Sequence, residues 1–227
     1  KMPDEGVKEF WLDIVKVYGN NPTVLFDLYN EPYSVSWDIW RNGGEVTDKA
    51  AGKTVTFRAV GHQELVEAIR DAGAKNVIIA GGLDYAYSLT GIAGKSGSNK
   101  TVYALTDQGS GGDISKAGYG IVYDTHIYPW KYNKDKWETA VGCVLDQYPV
   151  IVGESGWEKQ INETHDLSMQ KHLKTNSPYW VNELLNWIDE PTNDKGEKTG
   201  VPLNWTVWTF HPNAQPTTFS NWYYEPT

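Results

Sequence analysis

Two glutamates in this chain stand where an apolar, strand-forming run breaks into polar sequence. Asn30-Glu31-Pro32 follows Val24-Leu25-Phe26-Asp27-Leu28-Tyr29, and Glu154 follows Val150-Ile151-Val152-Gly153. Carboxylates delivered from two separate strand ends are the minimum equipment for acid/base and nucleophilic work on one bond. A third such run ends in His126-Ile127-Tyr128. Two residues apart on a strand, the rings of His126 and Tyr128 leave on the same face and can enter one pocket. The bland alternatives are capping carboxylates for Glu31 and Glu154, a turn residue before Pro32 for Asn30, and a core histidine for His126.

The elements that must position these groups follow from periodicity. Val7, Phe10, Trp11, Ile14, Val15 and Tyr18 recur at spacings of three and four, which predicts a helix over 5–18, closed by Gly19-Asn20-Asn21-Pro22. A strand is expected at about 23–29, a helix over Phe57 to Ala72 with Gly73 as its cap, and a strand over Asn76 to Ala80. Residues 81–120 are rich in Gly, Ser, Thr and Asp and read as a long loop with a brief helix near Tyr103 to Leu105. Beyond it come a strand over Ile121 to Ile127, a helix over Lys134 to Gln147, a strand over Val150 to Gly153, a helix over Tyr179 to Asp189 and a strand over Trp205 to Phe210. Five strands alternating with helices call for a parallel α/β architecture, either an open sheet or a closed barrel. Polar chemistry at several strand ends favours the barrel, whose rim gathers every strand's C-terminal end.

Composition narrows the function classes. The chain has 227 residues, enough for one substantial core, and reads as a single domain. Twenty basic against 29 acidic side chains give a formal charge of −9, which disfavours nucleic acid as a partner. No apolar run is long enough to span a bilayer, and the charged start reads as a mature or excised segment rather than a precursor. The lone Cys143 excludes an intrachain disulfide framework. Eleven Trp and 14 Tyr, many near loops or strand ends, suit the apolar faces of sugar rings, although a large core also uses Trp.

Taken in order, Asn30-Glu31-Pro32, His126-Ile127-Tyr128, Gly153-Glu154-Ser155 and Trp205-Thr206-Val207-Trp208-Thr209-Phe210 resemble glycoside hydrolase family 5, the cellulase type among retaining (β/α)8-barrel glycosidases. His211-Pro212 and the tail from Asn221 to Thr227 resemble the stretch after the family's last barrel strand. The resemblance implies that the five strands are the fourth to eighth of a (β/α)8 TIM barrel. A whole barrel takes about 250 residues, so three βα units, on the order of 80 to 100 residues, would be absent. With them would go an Arg on an early strand and a His after the third, and a second chain could supply these strands.

By the same resemblance Glu31 is the acid/base and Glu154 the nucleophile of a secreted retaining glycosidase. Such a pair stands about 5 to 5.5 Å apart, and like-charge repulsion from the ionised nucleophile keeps its neighbour protonated until the sugar esterifies it. Asn30 would bind the sugar 2-hydroxyl, Tyr128 would donate to Glu154, and His126 would position the acid/base or bind the sugar. Trp208 resembles the family's stacking platform, with Trp157, Trp130 and Trp40 as weaker loop candidates. Tyr85 stands where relatives often carry Trp, which puts sugar contacts there in question.

No cofactor is implied: Gly109-Ser110-Gly111-Gly112 lacks the Lys and helix of a phosphate loop, and His165 and His172 lack metal-ligand spacing. The expected substrate is a β-1,4-glucan such as cellulose, with mannan or xyloglucan as variants of the same chemistry. A non-catalytic carbohydrate-binding or inactive barrel fragment is the alternative from another class.

Overall fold

The stripe of apolar residues in the first helix has a definite partner. In the computed structural model, which describes residues 1–50, 52–96, 100–131, 134–156, 180–214 and 223, α1 runs Glu5–Tyr18. Asp4 caps it by accepting from the Val7 amide at 3.2 Å. Trp11 is buried from this helix, lies 5.2 Å from the Phe26 ring and donates its indole N–H to the Leu28 carbonyl at 3.0 Å. One indole thus ties helix to strand through both its apolar face and its polar edge.

The chain divides into two units, residues 1–124 and 125–227. In the first, β1 (Phe26–Asp27) pairs in parallel with β4 (Ile78–Gly81), which pairs in parallel with the first residues of β5 (Ile121–Ile127). Phe26, Leu28, Ile78, Ala80 and Tyr123 are buried along these strands. The crossover from β1 to β4 contains α2 (Trp37–Asn42), an antiparallel hairpin of β2 (Gly44–Ala50) and β3 (Lys53–Ala59), and α3 (His62–Asp71). Leu65, Val66 and Ile69 are the buried face of α3, and Arg70 near its end is also buried. Its guanidinium pairs with Asp107 at 2.5 Å, while the other Asp107 oxygen accepts from the Gly120 amide at 2.8 Å, so the long loop is pinned to the helix.

In the second unit β6 (Val150–Ser155) pairs in parallel with β7 (Asn204–Trp205). Helices α4 (Lys134–Ala140) and α5 (Trp180–Asp189) pack through aromatic rings: Trp137 meets Trp180 edge-on at 5.9 Å and Trp187 at 5.8 Å, and all three are buried. Cys143 is buried in a single 3-10 turn after α4. Among the described residues no helix is long and apolar enough to cross a membrane.

Several boundaries differ from those periodicity predicts. Phe57 begins no helix: 53–59 is the second arm of the hairpin, and α3 starts only at His62, after Gly61. Strand-forming alternation in Lys53-Thr54-Val55-Thr56-Phe57 outweighs the helical stripe that Val60 and Leu65 suggest. Gly43 makes the turn into the hairpin with φ of +75°, a conformation that disfavours side chains, and α2 ends there. No helix forms near Tyr103 to Leu105; the loop's 3-10 turns are at Ser110–Gly112 and Ile114–Lys116, where glycine and an Asp113 side-chain cap allow a tight turn. The helix expected over Lys134 to Gln147 stops at Ala140, and β7 is regular only at Asn204–Trp205. His165, His172, Trp157 and Asn221 to Thr227, apart from Tyr223, lie outside the described residues.

One buried amide closes the base of the first unit. The Asn76 side-chain N–H group donates to the carbonyls of Asn21 and Val24, each at 2.8 Å, joining the turn before β1 to the start of β4. The Asn21 carbonyl also accepts from the Val24 amide at 3.2 Å, so Asn76→Leu should orphan the Val24 carbonyl and cost about 1 to 3 kcal/mol, read as a lower urea midpoint with an unchanged slope.

Candidate active site

Parallel pairing sends the C-terminal ends of β1 and β4 to the same edge of the first unit. The chain leaves β1 through Leu28 and Tyr29 into Asn30, which is exposed, and Glu31, which is half-buried. The loop after β4 braces this turn: the Tyr85 amide donates to the Pro32 carbonyl at 3.0 Å, and the Tyr33 and Tyr85 rings stack at 4.5 Å with 9° between planes. Asp84, Tyr85 and Ala86 all have φ near +60°, a left-handed run that costs of order 1 kcal/mol per non-glycine residue and must be held by its surroundings. Burial of Leu83, Ala86 and Tyr87, with reciprocal bonds between the backbones of Leu83 and Ser88, supplies the hold.

Beneath that loop Trp40 is wholly buried, donates to the Gly81 carbonyl at 2.9 Å and stacks on the His62 ring at 4.6 Å. A sugar platform must be reached by substrate, so the expectation for Trp40 is corrected: this indole belongs to the core that supports the loop. His62 hydrogen-bonds the Trp40 carbonyl through Nδ1 at 2.9 Å, and burial lowers its pKa to about 4.

The second unit gathers the other candidates. Glu154 is the penultimate residue of β6, in a half-buried position. Tyr128 donates its phenol O–H to Glu154 Oε2 at 2.8 Å, and Nδ1 of the buried His126 lies 3.4 Å from the same oxygen. Tyr128 itself is buried and stacks on Trp130 at 4.6 Å, nearly parallel, which fixes its ring against rotation. A hydroxyl donating to a carboxylate stabilises the ionised form and fixes which oxygen is engaged. Trp208 is about one-third exposed at 36%, and its amide donates to the Ser155 carbonyl at 2.8 Å, so the segment after β7 runs beside the residue following Glu154. His126, Tyr128 and Glu154 are thus brought together, with Trp208 alongside by its backbone, while Asn30 and Glu31 share a loop of the first unit. Sequence reasoning passed over Tyr33, although an aromatic directly after Asn30-Glu31-Pro32 was a readable signal.

The family model for cellulase, glycosyl hydrolase family 5, matches residues 3–188. The chain belongs to this family. Its fold is accordingly α/β, a partial (β/α)8 barrel. Solved structures agree on the fold: the beta-glucanase SdGluc5_26A from Saccharophagus degradans, solved native and with cellotetraose, aligns with a TM-score of 0.57 at 21% identity over 98% of this chain and 56% of that one. The catalytic domain of Thermobifida fusca endoglucanase Cel5A, as a variant in complex with cellotetraose, gives 0.53 at 17% identity over 95% and 54%. A triple mutant of the endo-beta-1,4-glucanase from Xanthomonas axonopodis pv. citri gives 0.53 at 19% identity over 99% and 63%. The chain therefore spans little more than half the length of these structures. A comparison with curated proteins gives no match.

The buried His62 yields a stability prediction. Its folded pKa lies below the ordinary 6.5, so the unfolded chain takes up the proton first as pH falls. Stability from this group is complete above pH 6.5 and is lost between there and about pH 4, by about 3 kcal/mol in all. Urea unfolding of the parent and His62→Gln at pH 7 and pH 4.5 should show a smaller decline in the variant.

Proposed function

We propose that this chain is the catalytic part of a retaining endo-β-glycosidase that hydrolyses a β-1,4-linked glucan by double displacement. The observation that carries the reading is the Tyr128 hydroxyl donating to Glu154 at 2.8 Å, which suits a carboxylate kept ionised and aimed for attack. Glu154 attacks the anomeric carbon while Glu31 gives its proton to the departing oxygen, breaking the glycosidic bond and leaving the sugar esterified to Glu154. Glu31 then takes a proton from water, whose oxygen attacks the same carbon and frees Glu154. Asn30 binds the 2-hydroxyl, a contact that strengthens as positive charge develops on the ring. His126 orients Glu154 from beside Tyr128, and Trp208 offers its exposed face to a sugar.

The choice of glucan rests on relatives crystallised with cellotetraose. In this reading residues 1–227 form a single catalytic domain that works outside the cell. Among the described residues β1 pairs only with β4 and β7 only with β6, which leaves a flank on each strand for further polypeptide. Three more βα units, in the same chain or a second one, would complete the barrel around the site.

The test uses 2,4-dinitrophenyl β-cellobioside. Glu154→Gln should lower kcat by about 10³-fold or more, because no nucleophile remains. Glu31→Ala should form the glycosyl-enzyme from this activated substrate but release it slowly, with azide restoring turnover and yielding a β-glycosyl azide. Binding of cellotetraose with no release of dinitrophenol by the parent chain would sink the catalytic reading in favour of a non-catalytic binding module.

A further inference from the structure

Tyr128 carries the hydroxyl that engages Glu154, yet it stands just past the last residue of β5, where the ladder no longer fixes the backbone. A phenol O–H lies at the far end of its side chain, so a small rotation near the backbone carries it out of hydrogen-bond range. What opposes that rotation is Trp130. Its ring lies 4.6 Å from that of Tyr128 with 3° between the planes, and Tyr128 itself is buried. Residues two apart in an extended strand stand about 6.6 Å from each other, so this stack exists only because Pro129–Lys131 bends the chain into a single 3-10 turn.

The turn is itself anchored. The Lys131 amide donates to the Tyr128 carbonyl at 2.7 Å, and the Lys131 carbonyl accepts from the Trp137 indole N–H at 3.0 Å. Pro129 is buried, and its ring restricts the backbone at the first position of the turn. Trp137 is wholly buried on α4, with the Trp180 and Trp187 rings of α5 against it. An unbroken run of contacts therefore leads from the core between α4 and α5, through the turn and the Trp130 indole, to one oxygen of Glu154. Trp130 is only half-buried, and one of its two faces is taken by Tyr128. Filling a core does not explain an indole so placed; bracing a phenol does.

We propose that Trp130 is a positioning residue for Glu154: its indole, fixed by the turn, holds the Tyr128 hydroxyl on the carboxylate. The catalytic consequence rests on Glu154 being the nucleophile, while the contact itself can be read without turnover. A hydroxyl donated to a carboxylate favours the ionised form, so loosening the phenol should make Glu154 harder to ionise and slower to attack. His126, buried in β5, faces the same oxygen at 3.4 Å, and in the catalytic reading Glu31 also acts on this carboxylate. Both are the same in parent and variants, so a change on replacing Trp130 reports the Tyr128 contact.

Carbon-13 NMR titration of the glutamate side-chain carboxyls, with Glu154 assigned by the signal lost in Glu154→Gln, measures that ionisation directly. Tyr128→Phe should raise the Glu154 pKa by about one unit, and Trp130→Ala by about half as much. Trp130→Phe, which keeps a flat face, should restore the parent value, and Trp130→Ala added to Tyr128→Phe should raise it no further. Trp130→Leu, with apolar bulk but no flat face, makes the same comparison should the alanine variant not fold. An unchanged Glu154 pKa in the folded alanine or leucine variant overturns the proposal.

Kinetics separate the brace from a sugar contact. On 2,4-dinitrophenyl β-cellobioside, whose departing group leaves readily without a proton, the acid limb of kcat/KM should move to higher pH in Trp130→Ala by the same half unit, making the variant about threefold slower below the limb. A raised KM for cellotetraose with neither change would make Trp130 a sugar contact and overturn the proposal. No turnover by the parent, with the titration as expected, sinks the catalytic reading and leaves the brace standing.

Discussion

Parallel strand pairing is the constraint from which the candidate site follows. A parallel ladder cannot be closed by a tight turn, so each strand must be joined to the next by a crossover that returns the chain to the starting edge. All C-terminal strand ends then share one edge of their sheet, and polar residues placed just beyond the apolar runs are delivered together. In the first unit this brings the turn after β1 beside the loop after β4; in the second it brings the end of β6 beside the segment following β7. The strands themselves are short, two regular residues in β1 and two in β7, so packing by Trp11 in one unit and by Trp137 and Trp187 in the other carries much of the burden of holding them.

That delivery accounts for the neighbourhood of Glu154. A carboxylate at a strand end left to solvent would sample several orientations. Here the Tyr128 hydroxyl and the His126 ring approach one of its oxygens, and Tyr128 is in turn fixed by Trp130. The bond is charge-assisted and partly shielded from water, where such bonds are roughly twice as strong as neutral ones. Orientation is purchased through a chain of contacts that starts in the two-residue periodicity of β5.

The readable part of this molecule was the part written in periodicity. The helix over 5–18 and the strand over 121–127 were legible to the residue because their apolar spacing is unambiguous and their ends carry Asp4, Gly19 and Gly120. The order of polar strand ends was equally plain, since Glu31, His126, Tyr128 and Glu154 each follow an apolar run. The hairpin was not legible: one face carries Glu45, Thr47, Lys49, Thr54, Thr56 and Arg58, and the other buries Val46 and Ala59 but leaves Val55 exposed beside Asp48, so the apolar face is interrupted. Trp40 illustrates a different limit. Composition marks an indole as a candidate for sugar stacking, but only the hydrogen bond to Gly81 and the stack on His62 reveal that it belongs to the core.

The hairpin also bears on how function is distributed over such a fold. A crossover from β1 to β4 needs one helix to return the chain, and α3 performs that return alone. Helix α2 and the hairpin are therefore surplus to the topology, yet they are built in, with Val46 and Ala59 buried and Thr47 bonded across to Thr56 at 3.0 Å. A two-stranded hairpin is marginal by itself in water, so this one is held by what it leans on. What it leans on includes the Lys1 segment that also receives the Tyr33 amide, two residues from Glu31. Additions of this kind leave the ladder and the carboxylates untouched while reshaping the ground beside them, which is how one scaffold can keep its chemistry and change its substrate.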